Sequence, residues 1–265
     1  MTKPKVLLVG AGAMGSALLE GWDKAGKIFD TSVIDPSQPN FFGNISELSP
    51  KYSPDIILFA IKPQLIVETI PKYSVFAGRN CTFVSIAAGV GTSIFTQLLG
   101  KKETIVRVMP NLPVTVGHGM AGLYSSQPLS GSQKSLVESL FTASGKVMWL
   151  VSEDLMDAVT AISGSGPAYF FRLVECLVDS GLAAGLSAEQ AMILARQTAI
   201  GAGAMLAQLP QSASELRTRV TSPGGTTAAA IAAFDKDDRL AVLVKEAVTA
   251  AINRARELGA AMGNN

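Results

Sequence analysis

The run Gly10-Ala11-Gly12-Ala13-Met14-Gly15 constrains this chain more than any other feature. It follows the apolar segment 6–9 directly and opens the segment 13–25, which has helical periodicity. In such a strand–turn–helix context the first glycine permits the tight turn. The second lets the backbone approach a pyrophosphate, and the third lets the helix pack close to the sheet. The diphosphate then sits where free N–H groups and the helix dipole favour an anion. Asp35 ends the next strand, 20 residues past Gly15. A carboxylate there accepts hydrogen bonds from ribose hydroxyls and repels a 2′-phosphate. The alternative is an Asp-Pro turn with a solvated side chain, since Pro36 follows. The expectation is a dinucleotide fold that takes NADPH or NADH.

The neighbouring sequence agrees. Residues 6–9, 32–34, 56–61, 82–86 and 105–109 are short, β-branched and apolar on both faces, as buried parallel strands are. Helices at 13–25 and 64–70 complete a βαβ alternation, so the fold class is α/β with a doubly wound parallel sheet. Residues 119–124 and 146–150 extend that sheet, and the charge-free stretch 108–133, rich in Pro, Gly and Ser, otherwise reads as loops. Residues 36–44 lack helical periodicity, so the helix usual after the second strand is lost or vestigial. From Glu153 onward the pattern is helical, over 154–162, 167–184, 188–208, 212–219, 226–234 and 238–262. This places a dinucleotide-binding domain at 1–152 and an all-helical domain at 153–265. The helix 188–208 is apolar or small around most of its circumference and must be buried on several sides. Burial against a second subunit and a central place in one subunit's bundle are both open.

Hydrophobic residues make up 48% of the 265 and charged residues 16%, which is the composition of a packed protein. The net charge of +1 lacks the basic excess of a nucleic-acid binder. Residues 1–152 carry 13 basic and 9 acidic groups, whereas residues 153–265 carry 9 and 12, which suits an anionic cofactor on the first part. Two cysteines and one histidine provide neither a disulfide framework nor a metal site, and fit a reducing, cytoplasmic setting. The apolar run 5–9 is too short for a signal peptide. The charge-free stretch 80–100 is long enough to span a bilayer but carries too many polar residues and glycines to face lipid.

Two further loops end strands on the ligand side of the sheet. Ala60-Ile61-Lys62-Pro63 closes the third strand, with Lys62 in reach of a phosphate or ribose and Pro63 at a first helical position. In Ser85-Ile86-Ala87-Ala88-Gly89, the small Ala87 and Ala88 leave room for a flat ring. Asn44 reads as the N-cap of a short helical segment or as a ligand contact. Ser163-Gly164-Ser165-Gly166-Pro167 splits two apolar helices, as a corner or as a ligand loop. In Val220-Thr221-Ser222-Pro223-Gly224-Gly225-Thr226-Thr227, free N–H groups and hydroxyls converge at a helix start, a site for a small carboxylate. The alternative there is an ordinary Thr-capped loop. No G-x-S-x-G and no Cys/His nucleophile pair occurs, and His118 has no orienting partner in the sequence. Hydride transfer needs none of these, because the cofactor carries the chemistry.

Nearly the whole chain resembles the pyrroline-5-carboxylate reductase family. The resemblance rests on GAGAMG at 10–15, AIKPQ at 60–64, SIAAGV at 85–90, RVMPN at 107–111, EDLMDAVTAISGSGPAY at 153–169 and LRTRVTSPGGTT at 216–227. It implies an N-terminal dinucleotide-binding domain and a helical dimerisation and substrate-binding domain. It also implies reduction of 1-pyrroline-5-carboxylate to L-proline with NAD(P)H, the last step of proline biosynthesis. By resemblance Ser222, Gly225, Thr226 and Thr227 hold the substrate carboxylate, Thr227 also addresses the ring nitrogen, and Glu153 and Arg219 lie near substrate and cofactor respectively. Family dimers interlock their helical domains and some build larger rings, which leaves open a site that uses both subunits. Three features depart from the family pattern: Asp35-Pro36, where NADP-preferring members commonly carry Arg or Ser, Leu112, where Thr is usual, and His118, where an acidic residue is common. A β-hydroxyacid dehydrogenase, the nearest rival, would carry a lysine in helix 167–184, which has none. A nucleotide-sensing scaffold without turnover would not need the intact SPGGTT loop.

Overall fold

The computed structural model describes residues 2–100 and 103–263. Among them, strands β1 (Lys5–Val9), β2 (Asp30–Ile34), β3 (Ile56–Phe59), β4 (Thr82–Ser85), β5 (Ile105–Pro110), β6 (Gly119–Ser125) and β7 (Gly145–Trp149) form one sheet in the order β2-β1-β3-β4-β5-β6-β7. The first five pair in parallel. Strands β6 and β7 extend the sheet as expected, but the sheet is not parallel throughout: β6 runs antiparallel to β5, and β7 is parallel to β6. The connection 111–118 contains only a 3₁₀ turn, Leu112–Val116. It is shorter than the roughly dozen residues a parallel crossover needs.

Alternate residues of each strand feed two apolar layers. Val6 and Leu8 join Leu18 and Trp22 of α1 (Ala13–Lys24) and Val137, Leu140 and Phe141 of α4 (Gly131–Thr142). Leu7 and Val9 join Phe59, Phe83 and Ile66 of α2 (Ile66–Thr69), and Phe95 of α3 (Thr92–Leu99). Because both sheet faces are covered, the strands carry unbroken apolar runs. Helices α3 and α4 were not expected from sequence. The first lies in an uncharged segment whose apolar residues serve a buried strand or a helix equally well. The second opens with Ser130 and Gln133, which form a reciprocal capping box.

Trp22 ties the two helices of one layer together. Its indole N–H donates to the Leu140 carbonyl at 2.7 Å, near the C-terminal end of α4 where carbonyls lack helical partners. Its ring meets Phe29 edge to face, with centroids 5.3 Å apart. Trp22→Phe removes the donor and part of the ring, and is expected to destabilise the protein by about 2 kcal/mol. A lower urea midpoint of sheet unfolding measures this, and an unchanged midpoint contradicts it.

The chain divides into two compact units: residues up to Ser165 with those from Ala251 on, and Gly166–Ala250. The segment from Glu153 to Ser165 therefore packs with the sheet. It holds α5 (Met156–Val159) and a π-helical turn, Thr160–Gly164. The second unit is built from α6 (Gly166–Ala183), α7 (Ala188–Gln208), α8 (Ala213–Arg219), α9 (Thr226–Asp235) and the first half of α10 (Arg239–Gly263). Helix α7 begins at a second capping box, Ser187 with Gln190. Its buried residues are Ala191 and Ala195 alone, while Met192 is 50% and Ile193 59% exposed. In a single chain α7 is therefore not the buried centre of a bundle. Among the described residues, no helix is long and apolar enough to cross a membrane.

Candidate active site

The glycine-rich turn joins β1 to α1 as its spacing demands. Gly10 adopts φ +93°, a left-handed conformation that strains any side chain. A Cβ on Gly15 would lie 2.3 Å from the Gly10 carbonyl oxygen, so only glycine lets α1 start this close to the strand. A Cβ on Gly12 would meet nothing within 4 Å, so the turn faces open space there. No side chain caps α1 and no acidic residue lies in its first turn. The amides of Ala13, Met14 and Gly15 therefore point at a place that fits an anion.

Asp35 lies at the end of β2, 8% exposed. One carboxylate oxygen, Oδ2, accepts from the Ala11 amide at 2.7 Å. The other accepts from the Ser37 amide at 2.9 Å and the Ser37 hydroxyl at 2.6 Å. Burial, the largest single influence, pushes its pKa up. The hydrogen bonds from the Ser37 hydroxyl, the Ala11 and Ser37 amides and the Gln38 side chain outweigh it and hold the carboxyl below its ordinary value. Asp35 is thus an ionised brace of the glycine turn, not a solvated turn residue. The short segment after it carries no helix: Phe42 bridges to Ile34 in parallel, and its carbonyl accepts from the Asp35 amide at 2.9 Å.

A cleft of about 490 Å³ opens beside this brace, lined by Gly10, Gly12, Asp35, Asn44, Ala60, Ile61 and Lys62 among others. Asn44 is the N-cap that one of its sequence readings expects. Its side chain caps the 3₁₀ turn Ile45–Glu47 by accepting from the Ser46 amide at 2.9 Å, and it also borders the cleft. Lys62, exposed, precedes the turn Pro63–Leu65. A second, smaller cavity of about 180 Å³ shares Ala60 and Ile61 with the first. Its other walls are Met14, Pro63, Ile86, Ala87, Ala88, Met109 and Pro110. None of these side chains ionises, so the cavity is an apolar slot at the carboxyl ends of β3, β4 and β5. The sequence reading does not place Met109 and Pro110 on this wall. Their position at the end of β5, beside that of β4, is the signal that finds them.

Glu153 lies apart from that slot, half-buried, on the turn Glu153–Leu155. Its Oε1 accepts from the Thr92 amide at 2.8 Å and from Arg107 Nη1 at 3.1 Å, and its Oε2 accepts from the Thr92 hydroxyl at 2.6 Å. Asn111, also buried, donates to the Ser163 carbonyl and accepts from the Met120 amide at 2.8 Å, which anchors the π-helical turn to the sheet. His118 is exposed in the loop before β6.

The second unit holds the other residues singled out in the sequence. Val220 to Gly225 link α8 to α9, with the Gly225 amide donating to the Ser222 carbonyl at 3.1 Å. Gly225 occupies the cap of α9, no side chain caps that helix, and no acidic residue lies in its first turn. Thr226 and Thr227 are its first two residues, so free amides and hydroxyls converge there. Arg219, exposed, closes α8.

Residues 153–258 match the family model described as pyrroline-5-carboxylate reductase dimerisation. A pyrroline-5-carboxylate reductase from Pseudomonas aeruginosa is 35% identical over 275 residues, covering 99% of this chain and 100% of the relative. One from Haemophilus influenzae is 34% identical over 263 residues, covering 96% and 97%. The solved structure of the reductase from Coxiella burnetii superposes with a TM-score of 0.88 at 34% identity, covering 97% of this chain and 99% of that one. That of the Plasmodium falciparum enzyme with NADP bound gives 0.80 at 30%, covering 98% and 99%. Similarity of this degree, running from the glycine turn through the last helix, establishes that the chain belongs to the pyrroline-5-carboxylate reductase family.

Proposed function

We infer that the protein reduces 1-pyrroline-5-carboxylate to L-proline with NADPH or NADH, the last step of proline biosynthesis. The observation that carries this reading is the uncapped glycine turn opening beside an apolar slot, in a chain that also carries an uncapped SPGGTT helix start. When bound, the cofactor supplies a hydride to the imine carbon while the ring nitrogen takes up a proton. Gly10 to Gly15 hold the diphosphate, and Asp35, Asn44, Ala60, Ile61, Lys62 and Pro63 border the adenosine side. Ala87 and Ala88 flank the nicotinamide in the apolar slot, and Arg219 supplies a further cationic contact to the cofactor. Ser222, Gly225, Thr226 and Thr227 bind the substrate carboxylate at the start of α9, which turns one ring face toward the hydride. Thr227 orients the ring nitrogen. Loss of nicotinamide absorbance on mixing protein, NADPH or NADH, and pyrroline-5-carboxylate tests the reading, and no oxidation with either cofactor refutes it.

We further propose that the protein works in the cytoplasm as a homodimer or a larger assembly of dimers. Phe170 (67% exposed) and the apolar face of α7 need a partner, and the matched family model is one of dimerisation. Sedimentation at micromolar concentration is expected to give at least a dimer, whereas a stable, active monomer refutes the interface.

A further inference from the structure

The loop between β4 and α3 supplies Ile86, Ala87 and Ala88 to the apolar slot and buries its Ala87 and Val90 in the core. It is also held from outside. At its far end, the Glu153 carboxylate binds both the amide and the hydroxyl of Thr92, the first residue of α3. Glu153 is fixed in turn by Arg107 of β5, whose side chain is 10% exposed. In the middle of the loop, Gly89 takes φ +75° and meets the last turns of α10. A Cβ on Gly259 would lie 3.1 Å from the Gly89 carbonyl oxygen. At its near end the Ser85 hydroxyl accepts from the Ala87 amide at 3.2 Å.

We propose that Glu153 is a positioning residue: through Thr92 and Arg107 it sets the β4–α3 loop, and so the wall against which the nicotinamide lies, without touching substrate. Each carboxylate oxygen already accepts from Thr92, and Arg107 takes a further lone pair of Oε1. Two of the three donors come from α3, so the side chain acts on the loop's end as a cap acts on a helix. The cavity beside it, about 370 Å³, is lined by Asp154, Asp157 and Arg256 and is distinct from the apolar slot. The inference rests on the assignment of the slot to the nicotinamide under the proposed function.

The expected signature separates positioning from binding. A wall displaced by a fraction of an ångström slows hydride transfer, while cofactor affinity, set at the glycine turn, is kept. Glu153→Gln and Thr92→Val should each lower kcat on the order of 10-fold. The dissociation constant for NADPH, read by nicotinamide fluorescence, should stay within about 2-fold, and the isotope effect with 4-deuterated NADPH should rise. Thr92→Ser, which keeps the hydroxyl, should restore kcat. If Glu153→Gln does not fold, the Thr92 pair decides. Wild-type kcat in Thr92→Val overturns the proposal, as does a raised KM for pyrroline-5-carboxylate at unchanged kcat in Glu153→Gln. A wild-type protein that oxidises no cofactor sinks the proposed function and this role together, whereas an active wild type with unaffected variants sinks this role alone.

Discussion

Thr227→Ala is expected to lower kcat/KM for pyrroline-5-carboxylate about 10²-fold, the loss of a transition-state hydrogen bond worth roughly 2–3 kcal/mol. Thr227 is the second residue of α9, where no side chain competes for the free amides. Under the proposed function a hydroxyl there orients the ring nitrogen while those amides hold the carboxylate, and its bond would strengthen as the nitrogen becomes the amine of proline. The dissociation constant for NADPH should not change, because the glycine turn proposed to hold the diphosphate is untouched. Thr227→Ser should keep most of the rate. Steady-state kinetics with direct titration of the cofactor separates these quantities, and a Thr227→Ala enzyme with wild-type kcat/KM removes this side chain from the mechanism.

Asp35→Ser should shift the ratio of kcat/KM for NADPH over NADH upward by about 10-fold or more, one removed like-charge contact worth on the order of 1.4 kcal/mol. In the sequence Asp35-Pro36-Ser37-Gln38 no cation follows the carboxylate to receive a 2′-phosphate. Its hydrogen bonds keep it ionised, so the repulsion is undiminished at neutral pH. The brace on the Ala11 amide is weakened by the same change, and a loss of stability of about 1 kcal/mol should accompany the shift. Because the native pKa is depressed, this carboxylate's contribution is complete above about pH 4 and is lost as pH falls through the native value. Asp35→Ser should therefore unfold with a shallower acid dependence than the wild type. An unmoved cofactor ratio would mean that Asp35 braces the turn and does not face the ribose.

These residues also mark what can be read without coordinates. Five parallel strands, the glycine turn, the aperiodic segment after Asp35 and the long helices of the second unit follow from local signals: apolar runs, obligate glycines and periods of two or 3.6. Helix α4 was legible in principle, through Ser130, Gln133 and the apolar pair Val137 and Phe141 four apart, but it follows the Pro- and Gly-rich stretch that reads as loop. The reversed direction of β6 was legible only in the shortness of the segment before it.

By itself the sequence determined the family, the dinucleotide turn and the helix start at Thr226, because each depends on residues adjacent in the chain. The tertiary structure alone decided which partners the charged groups take. Asp35 lies 24 residues from the amide it braces, and Glu153 lies 61 from the Thr92 it caps. A carboxylate in a sequence looks the same whether it meets a ligand, a helix end or a buried guanidinium. Its role is set by the donors that packing brings within about 3 Å, and packing is a property of the whole chain.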